Sequence, residues 1–171
     1  MLGVPTGWRS LDRDSVDDPA LHEVIKLADV VSPWTIGRYR DEKSLANHAK
    51  NRFVPDMKWC RQYDLDYLPV VFPGFSWFNL RGDELNAVPR EGGQFLWSQV
   101  VAAKESGARM IYVAMFDEVD EGTAIFKCTN DVPVGDGVNF LTYEGKDPDH
   151  YLRVTGTGPV SYTHLTLPTT N

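Results

Sequence analysis

The sequence predicts an α/β fold with a parallel β-sheet, and three observations support that prediction. Short apolar runs rich in β-branched residues recur along the chain. Each run is followed by a polar loop and then by a segment whose apolar residues have helical spacing. The runs are apolar on both faces, as strands are when helices cover both sides of a sheet. Repeated β-loop-α units build a parallel sheet that is either open or closed into a (β/α)8 barrel.

Four of the runs are predicted to be strands, and a fifth is a weaker candidate. The predicted strands are MLGVP (1–5), DVVSPW (29–34), YLPVVFP (67–73) and RMIYVAMF (109–116), with VNFLTY (138–143) as the candidate fifth strand. Four or five such units are about half of an eight-stranded barrel.

Three helical segments are predicted between the strands, at 18–29, around 44–64 and at 92–108. The last of them shows the clearest periodicity, and Gly107 supplies its C-terminal stop. The apolar residues that keep the helical spacing are Phe95, Leu96, Val100 and Ala103.

The loops that follow the strands are long and carry the unusual residues, whereas the helix-to-strand connections are short. These long loops are 6–15, 35–43, 74–93 and 117–137. Ligand sites of (β/α)8 barrels lie on the face formed by the loops after the strands. The asymmetry therefore favours a barrel whose site lies on that face.

The composition excludes several classes of partner. A net charge of −7 and a sequence pI of about 5.0 would repel a phosphate backbone, so nucleic-acid binding is not expected. No run of 18 apolar residues predicts a membrane span. Neither a Gly-x-Ser-x-Gly elbow nor a phosphate-binding Gly-x-x-x-x-Gly-Lys-Ser/Thr loop occurs, which removes common serine hydrolase and nucleotide-binding classes.

Cysteine and histidine usage gives no sign of a metal or an organic cofactor, and none is expected. Cys60 and Cys128 lack neighbours at metal-ligand or redox spacing, so two buried free thiols are favoured over a disulfide. His22, His48 and His150 stand in helical or terminal contexts without paired ligands, which predicts structural or exposed roles.

The stretch FDEVDEGTAIF (116–126) places four acidic side chains within five positions directly after a predicted strand. Glu118 and Glu121 are three residues apart and would point to opposite faces of a continuing strand. They can converge only if the chain turns after Phe116, and Gly122 could close such a turn. Two converging carboxyl groups are the catalytic arrangement of most glycosidases.

Two alternatives for these acids stay open at this point. One is a solvated acidic loop without chemistry. The other is a cation site built from Asp117 and Asp120 with a later acid, either Asp131 or Asp136.

Aromatic and hydrogen-bonding side chains recur after three successive predicted strands. Aromatic faces stack on the C–H face of a sugar ring, while arginine and asparagine bond its hydroxyl groups. The residues predicted to bind a carbohydrate substrate in this way are Trp8, Arg9, Trp34, Arg38, Tyr39, Phe75, Trp77 and Asn79, together with Asp117 and Asp120 from the acidic stretch.

Both ends of the chain are predicted to be cut. The segment VSYTHLTLPTT (160–170) resembles the in-frame translation of a sequencing-library adapter, so residues 160–171 are excluded from fold reasoning. The first predicted strand has no segment before it that could cap it, which indicates a start inside a domain. Residues 1–159 are therefore expected to form part of a catalytic barrel.

The segment FDEVDEGTAIFK (116–127) resembles glycoside hydrolase families 99 and 71, specifically the 99/71-like bacterial proteins often labelled xylosidase or arabinosidase. The family 99 endo-α-mannosidases have two glutamates three apart, then Gly-Thr, then an isoleucine two residues later. Those features match Glu118, Glu121, Gly122–Thr123 and Ile125. The Pro-Gly turn in FPGF (72–75) is a second match, and the similarity covers about residues 1–157.

The resemblance implies the C-terminal half of a catalytic (β/α)8 TIM barrel, a truncated α/β fold, and a periplasmic or secreted location. It also implies that Glu121 is the general acid and Glu118 the general base. In family 99 the base deprotonates the sugar's own 2-hydroxyl, which displaces the leaving group through a 1,2-anhydro intermediate with net retention.

The sequence departs from the family 99 pattern at two places. Val119–Asp120 stands where the family has Trp-His between the glutamates, and Phe75 stands where it has a tyrosine. The mannosidase substrate is therefore not transferred to this chain.

The sequence as a whole predicts a retaining glycoside hydrolase that acts on a poly- or oligosaccharide, with Glu118 and Glu121 as its acid-base pair. A fragment of this kind can lack activity, since half a barrel leaves strand edges unpaired and substrate loops absent. The main alternative is a carbohydrate-binding barrel without catalysis. A different barrel enzyme, such as an aldolase or metal-dependent hydrolase, would need a strand-end lysine or a His/Asp metal set, and neither appears in these four strands.

Overall fold

A computed structural model describes residues 1–161 of the chain, and the side chains as far as residue 158. Most of the adapter-like segment, residues 162–171, lies outside the described residues. The strands are β1 (Leu2–Val4), β2 (Val30–Pro33), β3 (Asp66–Tyr67), β4 (Val70–Val71) and β5 (Tyr112–Val113). The helices are α1 (Ala20–Ile25), α2 (Glu42–His48), α3 (Val54–Gln62), α4 (Phe78–Arg81), α5 (Gln94–Glu105) and α6 (His150–Ser161).

All strand pairs in the two sheets are parallel, which confirms the predicted α/β class with parallel strands. β1, β2 and β3 form one sheet in that order, and β4 pairs with β5. Only Leu68 and Pro69 separate β3 from β4. The N–H of Leu68 bonds to Val31 on one side at 2.9 Å, and Pro69 accepts from Tyr112 on the other at 3.0 Å. The two sheets are therefore joined by one stretch of chain, in the order β1, β2, β3/β4, β5.

The predicted fifth strand at 138–143 is wrong. The segment is irregular. Its only β-type pairing is a single antiparallel bridge, from Val138 to Gly135. Side chains take the place of a neighbouring strand, because the N–H of Asn139 bonds to the Asn79 side chain at 2.9 Å. The N–H of Tyr143 bonds to the side chain of Asn130 at the same distance.

The predicted helix around 44–64 is present, but a π-helical turn at Ala49–Phe53 lies between α2 and α3. Asp41 caps the start of α2 by accepting from the N–H of Ser44 at 2.7 Å. Pro55 has no N–H to give to the carbonyl four residues before it, that of Asn51. That carbonyl instead accepts from Arg9 at 3.3 Å.

The core lies between the sheet and the helices and includes the side chains of Trp8, Phe53, Phe72, Ile25, Val31 and Val70. A second, smaller cluster of Ile125, Tyr143 and Tyr151 lies beside β5, with Val113 and Cys128 packed against it. None of the described helices has the length and apolar character needed to cross a bilayer.

Candidate active site

The chain turns back on itself directly after β5, between Phe116 and Phe126. The carbonyl of Phe116 accepts from the N–H groups of Ile125 at 3.0 Å and Phe126 at 2.9 Å. Inside this loop the carbonyl of Glu118 accepts from Ala124 at 3.2 Å. The predicted turn after Phe116 is therefore confirmed, and we call residues 116–126 the acid turn.

Gly122 closes the acid turn in a conformation that favours glycine. Its φ is +67°, in the left-handed region. A Cβ at this position would lie 2.7 Å from Cδ1 of Leu141, closer than packed atoms approach. The turn therefore depends on the glycine that follows Glu121.

The acid turn brings the carboxyl groups of Glu118 and Glu121 together. Both side chains are half-buried, whereas Asp117 and Asp120 are exposed. Burial raises the pKa of Glu121 to about 7, with further contributions from a hydrogen bond with Glu118 and from the charges of Glu118 and Asp120. The pair can therefore hold one proton at neutral pH, with Glu121 as its carrier.

The loop after β4 holds the acid turn in place. The carbonyl of Glu121 accepts from the N–H of Ser76 at 2.7 Å. The side chain of Asn79 donates to the carbonyls of Asp120 and Asn139, both at 2.9 Å. Asn79, predicted to bind substrate, thus uses its amide group to join two loops.

Several aromatic residues that were predicted to stack on a sugar are buried in the core, and these predictions are corrected. Trp8 has 0% of its surface exposed and packs edge-on against Trp59. Tyr39 is 2% exposed, and its hydroxyl donates to Gln99 at 2.9 Å. Phe75 is also buried. A ring whose faces are covered by protein cannot stack on a sugar.

Two of the predicted aromatic residues remain accessible. Trp34 follows β2 and is 45% exposed. Trp77 is partly exposed, packs on Phe75 with ring centres 4.5 Å apart, and lies in the loop that contacts the acid turn. Trp34 therefore keeps exposed ring surface, whereas the Trp77 ring is also contacted by Arg81, whose guanidinium carbon lies 5.5 Å from the ring centre.

The two predicted arginine ligands are engaged in ion pairs. Arg9 bonds to the buried carboxylate of Asp56 at 2.6 Å, and Arg38 bonds to Asp14 at 2.5 Å. Burial raises the pKa of Asp56 to about 6 even though Arg9 favours its charged form. Arg9 is therefore corrected to a structural residue, because its guanidinium serves a carboxylate and a helix carbonyl inside the protein.

Within residues 1–161 no group of three or more histidine, cysteine or acidic side chains is arranged to hold a metal ion. The alternative cation site from Asp117 and Asp120 with Asp131 or Asp136 is therefore not formed there. The two cysteines are free, as predicted, but Cys128 is only half-buried while Cys60 is buried.

His22, His48 and His150 have structural surroundings, as predicted, and the fourth histidine, His164, lies outside the described residues. Nε2 of His22 lies 3.1 Å from the Trp8 carbonyl, and Nε2 of His150 lies 2.7 Å from the Gly92 carbonyl. His48 is buried between Tyr39 and Phe53, and burial lowers its pKa to about 4.

Two cavities in the described part of the chain lie away from the acid turn. One of about 550 Å³ is lined by residues that include Arg61, Asp66 and Arg109. The other, a groove of about 1060 Å³ between α2 and α5, is lined mainly by apolar side chains. Glu118 and Glu121 line neither of these two cavities.

The sequence did not indicate which residues bond to the backbone carbonyls of the acid turn. These are chiefly Ser76, Arg90 and Tyr143. Arg90 donates to the carbonyl of Ala124 at 2.7 Å across 34 residues of sequence. No local pattern marks such a contact, although Arg90 does lie in the same long loop as the Pro-Gly turn.

No protein-family model matches the chain, and no curated protein is significantly similar to it in sequence. Solved structures do show a similar fold. The GH99 endo-alpha-mannosidase from Bacteroides thetaiotaomicron, in complex with bis-tris propane, is 23% identical with a TM-score of 0.62, over 79% of this chain and 41% of that chain. Another structure of the same enzyme is 22% identical with a TM-score of 0.65, over 86% and 42%.

A third structure, described as a glycoside hydrolase-like protein, is 17% identical with a TM-score of 0.53, over 77% of this chain and 37% of that chain. The chain thus spans about two fifths of the length of these proteins. Sequence identities this low show a similar fold only. The chain has a mixed α/β fold with parallel strands that is similar to the barrel fold of the family 99 glycoside hydrolases.

Proposed function

We propose that the chain carries the acid-base pair of a glycoside hydrolase that cleaves a glycosidic bond in a poly- or oligosaccharide with net retention. The single observation that carries the proposal is that the acid turn brings Glu118 and Glu121 together, where burial first, and then the hydrogen bond with Glu118 and its charge, raise the pKa of Glu121 to about 7. The fold of the similar solved structures supports the same reaction class. The parallel strand order supports a further part of the proposal, that residues 1–159 form part of a (β/α)8 catalytic barrel.

Glu121 has the property that a general acid needs. Its raised pKa of about 7 keeps it protonated where an ordinary glutamate is ionised, so it can give a proton to the leaving glycosidic oxygen. Glu118 then serves as the base that takes the proton of the sugar's 2-hydroxyl. Cleavage leaves Glu121 deprotonated and Glu118 carrying the proton of the 2-hydroxyl. In the second half a water molecule attacks the anomeric carbon and gives its proton to Glu121, while Glu118 returns its proton to the 2-oxygen of the sugar.

The closeness of the two carboxyl groups supports retention over inversion. Inverting glycosidases hold their carboxyl groups roughly 6.5–9.5 Å apart, which leaves room for a water molecule between the base and the sugar. A pair close enough for a hydrogen bond leaves no such room. Attack by the sugar's own 2-hydroxyl, with Glu118 as base, needs no water at that step.

The accessible ring of Trp34 supports a carbohydrate as the substrate, because its exposed apolar surface can stack on a sugar ring. Trp34 follows β2, so it lies on the same side of the sheet as the acid turn.

The test is sugar release from defined polysaccharides by the wild type, Glu118→Gln and Glu121→Gln. Yeast mannan, xylan and arabinan are the probes, and reducing ends are measured. Each variant should lose on the order of 10²–10⁴-fold in rate, because each removes one side of the acid-base pair. Glu84→Gln is the matched control, since Glu84 is an exposed acid in the neighbouring loop, and it should retain wild-type release.

Unchanged release in both glutamine variants would contradict the proposal. Binding of a polysaccharide by the wild type without any release would instead support the alternative of a non-catalytic carbohydrate-binding protein.

A further inference from the structure

Arg90 is a buried arginine that contacts the chain just after Glu121. It is 3% exposed, and its Nη2 donates to the carbonyl of Ala124 at 2.7 Å. Its guanidinium carbon lies 4.4 Å from the ring centre of Tyr151 and 5.0 Å from that of Tyr143. Cations over aromatic faces at this distance are attracted by the ring electrons. We call Arg90, Tyr143 and Tyr151 the arginine clamp.

Tyr143 reinforces the same carbonyl. Its hydroxyl lies 3.1 Å from the carbonyl oxygen of Ala124 and 2.5 Å from that of Phe126. The Ala124 carbonyl is therefore approached by donors from two different parts of the chain. Such a carbonyl has little freedom to move relative to the clamp.

Packing and hydrogen bonds from neighbouring segments hold the arginine clamp in place. The Gly74 backbone packs so closely on Arg90 that a Cβ there would lie 2.7 Å from its Cγ. The Tyr151 hydroxyl donates to Glu144 at 2.9 Å, and the same carboxylate oxygen accepts from the N–H of Gly92 at 2.6 Å. The loop after β4, the segment before α6 and α6 itself therefore hold the clamp together.

Burial of Arg90 carries an energetic cost that packing alone does not explain. Desolvation lowers the pKa of the guanidinium, while Tyr151, Tyr143 and Glu144 favour its charged form. Burial of a charge is unfavourable unless the charge is paired and hydrogen-bonded. The backbone hydrogen bond that Arg90 donates goes to the acid turn.

The two glutamates are tied to two different anchors. Glu121 is held through its carbonyl by Ser76 of the loop after β4 at 2.7 Å. The carbonyl of Glu118 accepts from the N–H groups of Thr123 at 3.1 Å and Ala124 at 3.2 Å, and Arg90 and Tyr143 bond to the carbonyl of the same Ala124.

We propose that Arg90, supported by Tyr143 and Tyr151, is a positioning residue that sets the separation of the Glu118 and Glu121 carboxyl groups by fixing the Ala124 carbonyl. Its catalytic consequence rests on the proposed function, whereas its effect on the carboxyl pair does not. The clamp touches neither carboxyl group and acts only through the backbone between Glu118 and Ala124.

The experiment is a titration of the Glu121 carboxyl carbon by NMR in protein labelled with ¹³C-glutamate, with Glu121→Gln identifying the resonance. The wild type should titrate near pH 7, since Glu118 and Asp120 are the charged groups that face Glu121. Arg90→Lys and Tyr143→Phe should each lower the titration midpoint by about one unit, because the carboxyl groups move apart. Circular dichroism establishes that each variant is folded.

Tyr143→Phe removes only a hydroxyl and keeps the packed ring, so it decides the question if Arg90→Lys fails to fold. Arg61→Lys is the matched control, because Arg61 is an exposed arginine that likewise donates to a backbone carbonyl, that of Gly107 at 3.3 Å. It should leave the Glu121 midpoint unchanged.

Folded clamp variants in which Glu121 titrates as in the wild type would overturn the proposal. A shifted Glu121 midpoint in the clamp variants, together with full sugar release by Glu118→Gln and Glu121→Gln, would support the positioning role of Arg90 and contradict the proposed function. With the function intact, Arg90→Lys should lower kcat for release from the cleaved polysaccharide and leave KM nearly unchanged, as expected when positioning and not binding is lost.

Discussion

Glu121 shows how the environment of one residue assigns its chemistry. Glu118, three positions earlier, has the same side chain, but burial and the neighbouring acids raise the pKa of Glu121 to about 7. Two carboxylates in contact cannot both ionise easily, so one retains its proton. The sequence could show that both acids are present, but only the turn decides that they meet.

The first prediction concerns the pH dependence of sugar release. The raised pKa means that Glu121 is protonated below about pH 7 and loses its proton as the pH rises through that value. The rate that depends on a general acid should therefore fall above about pH 7. The measurement is kcat/KM for the cleaved polysaccharide between about pH 5 and 9. A rate that stays constant or rises across this range would show that Glu121 is not the acid.

Arg9 shows the limit of sequence reasoning at the same scale. Its place after a strand and beside Trp8 is typical of a ligand-binding residue. Its partner Asp56 lies 47 residues away in the sequence, on α3. Ion pairs of this sequence separation leave no local pattern, so an arginine that braces the fold and an arginine that binds substrate look alike in the sequence.

Among the elements, the acid turn is the one whose conformation could be predicted best. The spacing of its glutamates required a turn and Gly122 offered a residue able to close it. A helix around 44–64 was also predicted, but the π-helical turn at Ala49–Phe53 within it was not. Two residues account for the π-helical turn. Pro55 has no N–H to donate, which leaves the Asn51 carbonyl without its helical partner, and Arg9 donates a hydrogen bond to that carbonyl instead.

The second prediction concerns Gly122→Ala. The left-handed backbone costs roughly 1–2 kcal/mol for a residue with a Cβ, and the clash with Leu141 adds to that cost. We expect the free energy of unfolding, measured with urea, to fall by about 2 kcal/mol and the Glu121 pKa to fall with it.

Gly82→Ala is its matched control. Gly82 also has a positive φ, +72°, but a Cβ there would meet nothing within 4 Å. It should lose only about 1 kcal/mol and leave the Glu121 pKa unchanged. Equal losses for the two variants, with no change at Glu121, would contradict the close fit of Gly122 against Leu141.

At the scale of the whole molecule, buried Gln99 joins parts of the chain that are far apart in sequence. It lies on α5 with 0% of its surface exposed. Its side chain accepts from the N–H of Phe72 at 3.0 Å and donates to the Phe72 carbonyl at 2.7 Å, just after β4. It also accepts from the Tyr39 hydroxyl in the loop after β2. One amide group thus ties a helix to the sheet and to a loop on the side of the acid turn.

The third prediction concerns Gln99→Leu. The substitution leaves buried backbone groups of Phe72 without partners, at about 1–3 kcal/mol for each unsatisfied group. The free energy of unfolding should therefore fall by about 3 kcal/mol in urea. Gln94→Leu, at an exposed position of the same helix, should change it by less than about 0.5 kcal/mol. Similar small losses of unfolding free energy in both variants would show that the Gln99 side chain does not hold α5 against the sheet.

The sequence alone determined the α/β class, four parallel strand segments, the third of which is divided into β3 and β4, and the presence of two glutamates able to meet after the last segment. These features depend on the local period of apolar residues and on single turn residues. The tertiary structure decided which aromatic rings keep a free face, which arginines are engaged by distant carboxylates, and how Arg90 and Ser76 anchor the acid turn. Those outcomes depend on contacts between residues tens of positions apart. Such contacts are set by packing of the whole chain, and no local pattern encodes them.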